Sequence, residues 1–139
     1  MEREPIFADT NLFLRLLTDD IPEKAEAFAS LLQKAAQGEL QFVTNPMVIA
    51  EIVWTLESYY GLAKEDVQEK ILAILNTHGV DIMDGDLVLQ AILWYAEKNV
   101  DFIDAYNAAW MLHQGIRTAC TFDQKHFSRF EGISTLIPA

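Results

Sequence analysis

The sequence predicts an α/β fold with a largely parallel sheet, and two observations carry that reading. Short apolar runs of strand character alternate with longer stretches whose apolar residues recur at helical spacing. Acidic residues fall at the junctions where a chain would leave a strand for a helix. In an open parallel sheet such junctions share one edge, which is the edge at which ligands bind.

Ile6 to Ala8 reads as a short buried strand, stopped by Asp9. A helix leaves at once, with Leu12, Phe13, Leu16 and Leu17 as its apolar face. Asp9 is either the N-cap of that helix or the first ligand of a metal site. Taken alone, the cap is the stronger reading. Thr18 to Pro22 turns the chain, and Pro22 suits the first position of a second helix. Ala25, Phe28, Leu32 and Ala35 form the inner face of that helix, and Gly38 closes it. Gln41 to Thr44 is a second strand. Asn45 and Pro46 then open a third helix that runs to Tyr60 and ends at Gly61. Val48, Ile49, Ile52, Val53 and Leu56 are its core face. Glu51 stands beside that stripe, either as a rim residue in solvent or aimed over the sheet edge toward Asp9.

Ala63 to Asn76 is a fourth helix, with Glu65 and Asp66 at the positive end of its dipole. Its apolar face is Val67, Ile71, Ile74 and Leu75. Val80 to Met83 is a third strand, and Asp84 to Asp86 turns the chain. Leu87 to Lys98 is a fifth helix, apolar almost all round, which calls for deep burial or a covering partner. Asp101 opens a sixth helix whose core side includes Ala108, Trp110, Met111 and Leu112, with Gly115 at its end. Arg117 to Phe122 is a fourth strand with Asp123 at its carboxyl end. Gln124 to Phe130 is a short helix or turn, and Ile133 to Ile137 a last strand.

With 139 residues the chain suits a single domain over 1–139. Its hydrophobic fraction of 51% supports a substantial core. Ten Lys and Arg against 21 Asp and Glu give a net charge of −11. That argues against simple electrostatic adhesion to nucleic acid or to an anionic membrane. A nucleic-acid enzyme that works through a divalent cation remains open. The single cysteine, Cys120, reads as a small buried hydrophobe, allows no internal disulfide and suits a reducing cytosol. The first residues lack the features of a signal peptide, and no apolar run approaches the ~20 residues of a membrane span. A cytoplasmic protein with no membrane contact is therefore expected.

Four acids sit at junctions. Asp9 and Asp123 each follow a strand, Asp104 lies at the start of the sixth helix, and Glu51 lies early in the third. Each has a plain alternative as a cap, a dipole partner or a solvated side chain. Clustered carboxylates raise one another's pKa values unless a cation stands between them. Mg²⁺ takes oxygen ligands, is usually held by one or two carboxylates and keeps waters for substrate phosphates. The pattern suits hydrolysis of a phosphodiester, and it needs no histidine. His78, His113 and His126 read as surface or structural residues. Arg117, Lys125 and Arg129 outnumber Asp123 locally, so this strip either holds phosphates or is a solvated turn.

Asp9-Thr10-Asn11 with Leu14 to Thr18, Ala50 to Trp54, Asp101 to Ala105 and Thr121-Phe122-Asp123 resemble the PIN-domain family. The likeness is greatest to the VapC-type toxin ribonucleases and covers essentially the whole chain. It implies a three-layer α/β/α sandwich with a central, mostly parallel sheet. It also implies an endoribonuclease dependent on Mg²⁺ or Mn²⁺. Carried over, Asp9, Glu51, Asp104 and Asp123 are the catalytic acids. Asp9 and Asp104 are the principal metal ligands, Asp123 assists, and Glu51 orients or activates the attacking water. Thr10, Asn11 and Thr121 match supporting positions, while Arg15 and Lys125 are candidates for substrate contact. The resemblance further implies an RNA substrate, a homodimer and a small antitoxin partner. Trp54, Tyr59, Tyr60 and the fifth helix could supply the partner surfaces, and core packing explains them equally well. Two other functions are weighed against this one. The first is a non-catalytic module that keeps the fold and serves assembly. The second is an aspartyl-phosphate enzyme of the haloacid-dehalogenase kind, which needs an acid where this chain has Asn11.

Overall fold

A computed structural model describes residues 4–138. The chain divides into two compact units, with the boundary after Gly85.

The first unit holds β1 (Ile6–Phe7), α1 (Thr10–Thr18), α2 (Pro22–Ala36), β2 (Phe42–Thr44), α3 (Pro46–Ser58), α4 (Lys64–Leu75) and β3 (Val80–Ile82). Its three strands pair in the order β1-β2-β3, all parallel. Ile6 sits opposite Phe42, and Thr44 opposite Ile82. Parallel strands need crossover connections, and here the helices supply them. Phe13, Phe28 and Phe42 stack edge to face at centroid separations of 5.4 and 5.7 Å, which ties α1, α2 and β2 into one core. Asn45 caps α3 by accepting the Val48 N–H at 3.1 Å, and Pro46 follows at the first helical position. The α3 face of Val48, Ile49, Ile52, Val53 and Leu56 is buried as the spacing predicts.

The second unit holds all but the first residue of α5 (Gly85–Glu97), then α6 (Phe102–His113), β4 (Thr118–Cys120), α7 (Gln124–Phe127) and β5 (Ser134–Leu136). β4 and β5 pair in parallel. α5 buries Val88, Ala91, Ile92 and Tyr95. Trp94 packs on Phe130 at 5.1 Å, and Tyr95 meets Phe102 edge to face.

The α/β class and the parallel pairing agree with the sequence reading. The pairing comprises a three-stranded sheet in the first unit and a two-stranded one in the second. Several local expectations are corrected. β1 is only two residues long, and both are exposed, because β1 ends the strand order of its sheet; only Ala8 of that run is buried. On α1 the buried residues are Thr10, Phe13 and Leu14, while Leu12, Leu16 and Leu17 are half-buried. Trp110, expected on the core side of α6, is exposed, and Ala105 and Ala109 take that place. Cys120 is exposed, because alternate residues of β4 share the outward face. Among the described residues no helix is long and apolar enough to cross a membrane.

Candidate functional site

In the first unit the backbone ahead of Asp9 is held from two directions. The Ala8 N–H donates to the Val43 carbonyl at 2.9 Å, and the Thr44 hydroxyl donates to the Ala8 carbonyl at 3.0 Å. Ala8 and Thr44 are both buried. Asp9 then adopts extended backbone and accepts the Thr10 N–H at 2.8 Å, so the cap reading is correct. The cap uses one carboxylate oxygen. Asp9 remains exposed and lines a cavity of about 660 Å³ together with Glu51. Glu51 is exposed on α3, and its neighbours Ile49 and Ile52 anchor that helix in the core. Sequence reasoning misses Thr44. Its only local signal is a hydroxyl at the carboxyl end of a strand, just before a helix cap.

The same cavity carries Asn11 and Arg15 from α1. Arg15 pairs with Asp20 at 2.6 Å. Tyr60 donates its hydroxyl to Asp20 at 2.7 Å, and Thr18 adds a third bond at 3.0 Å. The Tyr60 hydroxyl and the Arg15 guanidinium hold the Asp20 carboxyl down at about 2. Trp54 and Tyr59 complete the wall and stand largely in solvent.

In the second unit Asp104 lies in the first turn of α6, and Asp123 follows β4 and caps α7. The Thr121 hydroxyl accepts the Asp123 N–H at 2.9 Å, which fixes the turn that presents the carboxylate. Asp123 also hydrogen-bonds the Nδ1 of His126. That same nitrogen lies 3.9 Å from an Asp104 carboxylate oxygen. His126 therefore faces both acids while it remains partly exposed. The available signal is its place three residues after a capping acid. Burial pushes the Asp104 carboxyl up, and the like charges of Asp101 and Asp123 add to this, while His126 opposes it. The hydrogen bond from His126 holds the Asp123 carboxyl below its ordinary value.

One nitrogen of the Arg129 guanidinium donates to the Lys98 and Asn99 carbonyls at 3.2 and 2.8 Å, where α5 ends. Arg117, Lys125 and Arg129 are all exposed.

The structure thus places Asp9 and Glu51 on one cavity of the first unit, and Asp104 and Asp123 about one histidine of the second. Among the described residues no three His, Cys, Asp or Glu side chains form a ready-made ion cage. The donor chemistry of each pair nevertheless suits a hard divalent cation. Both pairs are carboxylates, and in the second like charge adds to the burial that pushes Asp104 up. Mg²⁺ is ordinarily held by one or two such carboxylates and retains its waters.

A family model described as the PIN domain matches residues 6–133. The chain is also similar to a VapC ribonuclease of Aquifex aeolicus (strain VF5), with 27% identity over 118 residues. That alignment covers 84% of this chain and 86% of the relative. All four acids and their supporting hydroxyls lie inside the matched span, so the chain belongs to the PIN-domain family.

Proposed function

We propose that this protein is a metal-dependent endoribonuclease of the toxin type, a single PIN-like domain in which Asp9, Glu51, Asp104 and Asp123 all serve phosphodiester hydrolysis. The observation that carries the reading is the setting of Asp9. A parallel strand end, pinned by Thr44, delivers its carboxylate to the cavity that Glu51 also faces. Membership of the PIN-domain family and the likeness to a VapC ribonuclease support the same activity.

Asp9 and Asp104 would hold a Mg²⁺ or Mn²⁺ ion, with Asp123 assisting. A bound ion of this kind lowers the pKa of water and stabilises charge on phosphoryl oxygens. Glu51, exposed on α3, would orient or activate the attacking water. The Thr121 hydroxyl holds the backbone of Asp123, and Thr10 donates its N–H to Asp9. Asn11 would support the site through its amide, and Arg15 and Lys125 are the candidates for substrate contact. The protein works in the cytoplasm as a homodimer restrained by a small antitoxin.

The test is cleavage of pooled RNA with Mn²⁺, together with calorimetry of Mn²⁺ binding to the partner-free protein. Asp9→Asn and Asp104→Asn should each lower cleavage by more than about a hundredfold, since even groups that only orient a ligand cost about 10–100-fold. The double variant should lose little more than either single one, because the two acids act as a unit. Unchanged cleavage in both single variants would refute the proposal.

A further inference from the structure

The cavity that carries Asp9 and Glu51 is poorly built to grip phosphates. Its cation, Arg15, is committed to Asp20 at 2.6 Å, and Asp9, Asp20 and Glu51 make the lining acidic. What it does offer is aromatic surface. Trp54 is 65% exposed and Tyr59 is 79% exposed, and both belong to the cavity wall. Tyr60, by contrast, is tied down through its hydroxyl to Asp20. It meets Tyr59 in a T-shaped contact at 4.9 Å and 76°.

Helix geometry puts Trp54 beside the proposed chemistry. It lies three residues after Glu51, which is the next position on the same face of α3. Tyr59 caps the end of that helix and lines the same cavity. Base–aromatic stacking needs no charge, so it also suits a protein with a net charge of −11.

We infer that Trp54 and Tyr59 are base-stacking residues that hold the RNA strand beside Glu51. The inference rests on the ribonuclease reading and names the residues that contact bases at that site. Both rings are exposed, so their truncation leaves the core intact.

The experiment measures affinity of the metal-free protein for a short single-stranded oligoribonucleotide and for its duplex, and then cleavage with Mn²⁺. Trp54→Leu and Tyr59→Leu should each weaken single-strand binding about tenfold, within the usual range for loss of one stacked base. Trp54→Phe should restore most of the loss, because it keeps a ring face. The salt dependence of binding should stay unchanged, since no phosphate contact is removed. If wild type cleaves RNA while the leucine variants bind and cleave single strands as it does, the stacking role is overturned and the nuclease reading stands. The stacking role is equally overturned if those variants keep their RNA affinity and lose affinity for a protein partner instead. If wild type neither binds nor cleaves RNA, both readings fall.

Discussion

Gly79 is the position at which a single methyl group should cost the most. Its φ is +90°, in the left-handed region, and its carbonyl accepts the Phe42 N–H at 2.9 Å at the start of the β2–β3 ladder. A Cβ built there would lie 2.7 Å from the backbone carbon, the carbonyl oxygen and the Cβ of Ala35. These atoms belong to the last turn of α2, where Ala35 is buried, so no flexible side chain can give way. Left-handed backbone costs a non-glycine residue about 1–2 kcal/mol. Overpacking adds about 1–3 kcal/mol, and the reduced entropy of the unfolded chain returns about 0.4–1 kcal/mol. Gly79→Ala should therefore destabilise the protein by about 3 kcal/mol. Two other glycines separate the contributions. Gly61 has φ +66° with nothing within 4 Å of its Cβ position, so Gly61→Ala should show the backbone cost alone, about 1 kcal/mol. Gly85 has open space and no positive φ at the first position of α5, so Gly85→Ala should be neutral or mildly stabilising. Urea unfolding followed by circular dichroism gives each difference from the shift in midpoint at constant slope. Equal losses at Gly79 and Gly61 would refute the close approach of β3 and α2 as the cause.

Three further outcomes are expected. Thr44→Val keeps the buried shape but leaves the Ala8 carbonyl without its 3.0 Å partner, so stability should fall by about 1–2 kcal/mol, read by urea unfolding. Cleavage should fall with it, because that bond fixes the backbone before Asp9. Tyr60→Phe removes the largest influence that lowers Asp20 from its ordinary 3.8 to about 2. Asp20 is depressed in the folded state, so its contribution is present above pH ~4 and is lost as pH falls toward about 2. The gap in thermal midpoint between wild type and Tyr60→Phe should therefore be constant above pH ~4 and close on acidification. Asp104 behaves in the opposite sense. Burial, Asp101 and Asp123 raise it in the folded state, so its ionisation opposes folding at neutral pH. Asp104→Asn should hold or raise the thermal midpoint of the metal-free protein while it abolishes cleavage, and a marked fall would show that the carboxylate has a structural duty instead.

The legibility of this chain varies with how tightly local chemistry constrains it. α3 can be read almost residue by residue. An Asn cap, a proline at the first position and five apolar residues at helical spacing leave one phase for that helix, and all five are buried. α1 cannot be phased in the same way, because Leu12, Phe13, Leu14, Leu16 and Leu17 are apolar on almost every side. The edge-to-face contact of Phe13 with Phe28 selects the buried face, and that contact comes from another helix. The strands are the least legible. Two or three residues are too few to show alternation, so β1 and Cys120 read as buried although tertiary pairing leaves them exposed.

The acids illustrate a different limit. At Asp9 and Asp123 capping and catalysis look like competing explanations in the sequence. The structure contains both caps, the first at 2.8 Å to the Thr10 N–H and the second at 3.4 Å to the His126 N–H. A cap bond occupies one lone pair of a carboxylate that has about four acceptor sites. At Asp9 it leaves the second oxygen uncommitted to the cap, and at Asp123 the second oxygen meets the His126 imidazole, so capping is a means of positioning rather than an argument against a second role. The approach of His126 to Asp104 shows what no local pattern could supply. The pairing with Asp123 follows from a spacing of three residues, whereas Asp104 stands on α6 and meets the imidazole only through the packing of α6 and α7. Sequence can therefore name the acids, and only the fold can show which neighbours tune them.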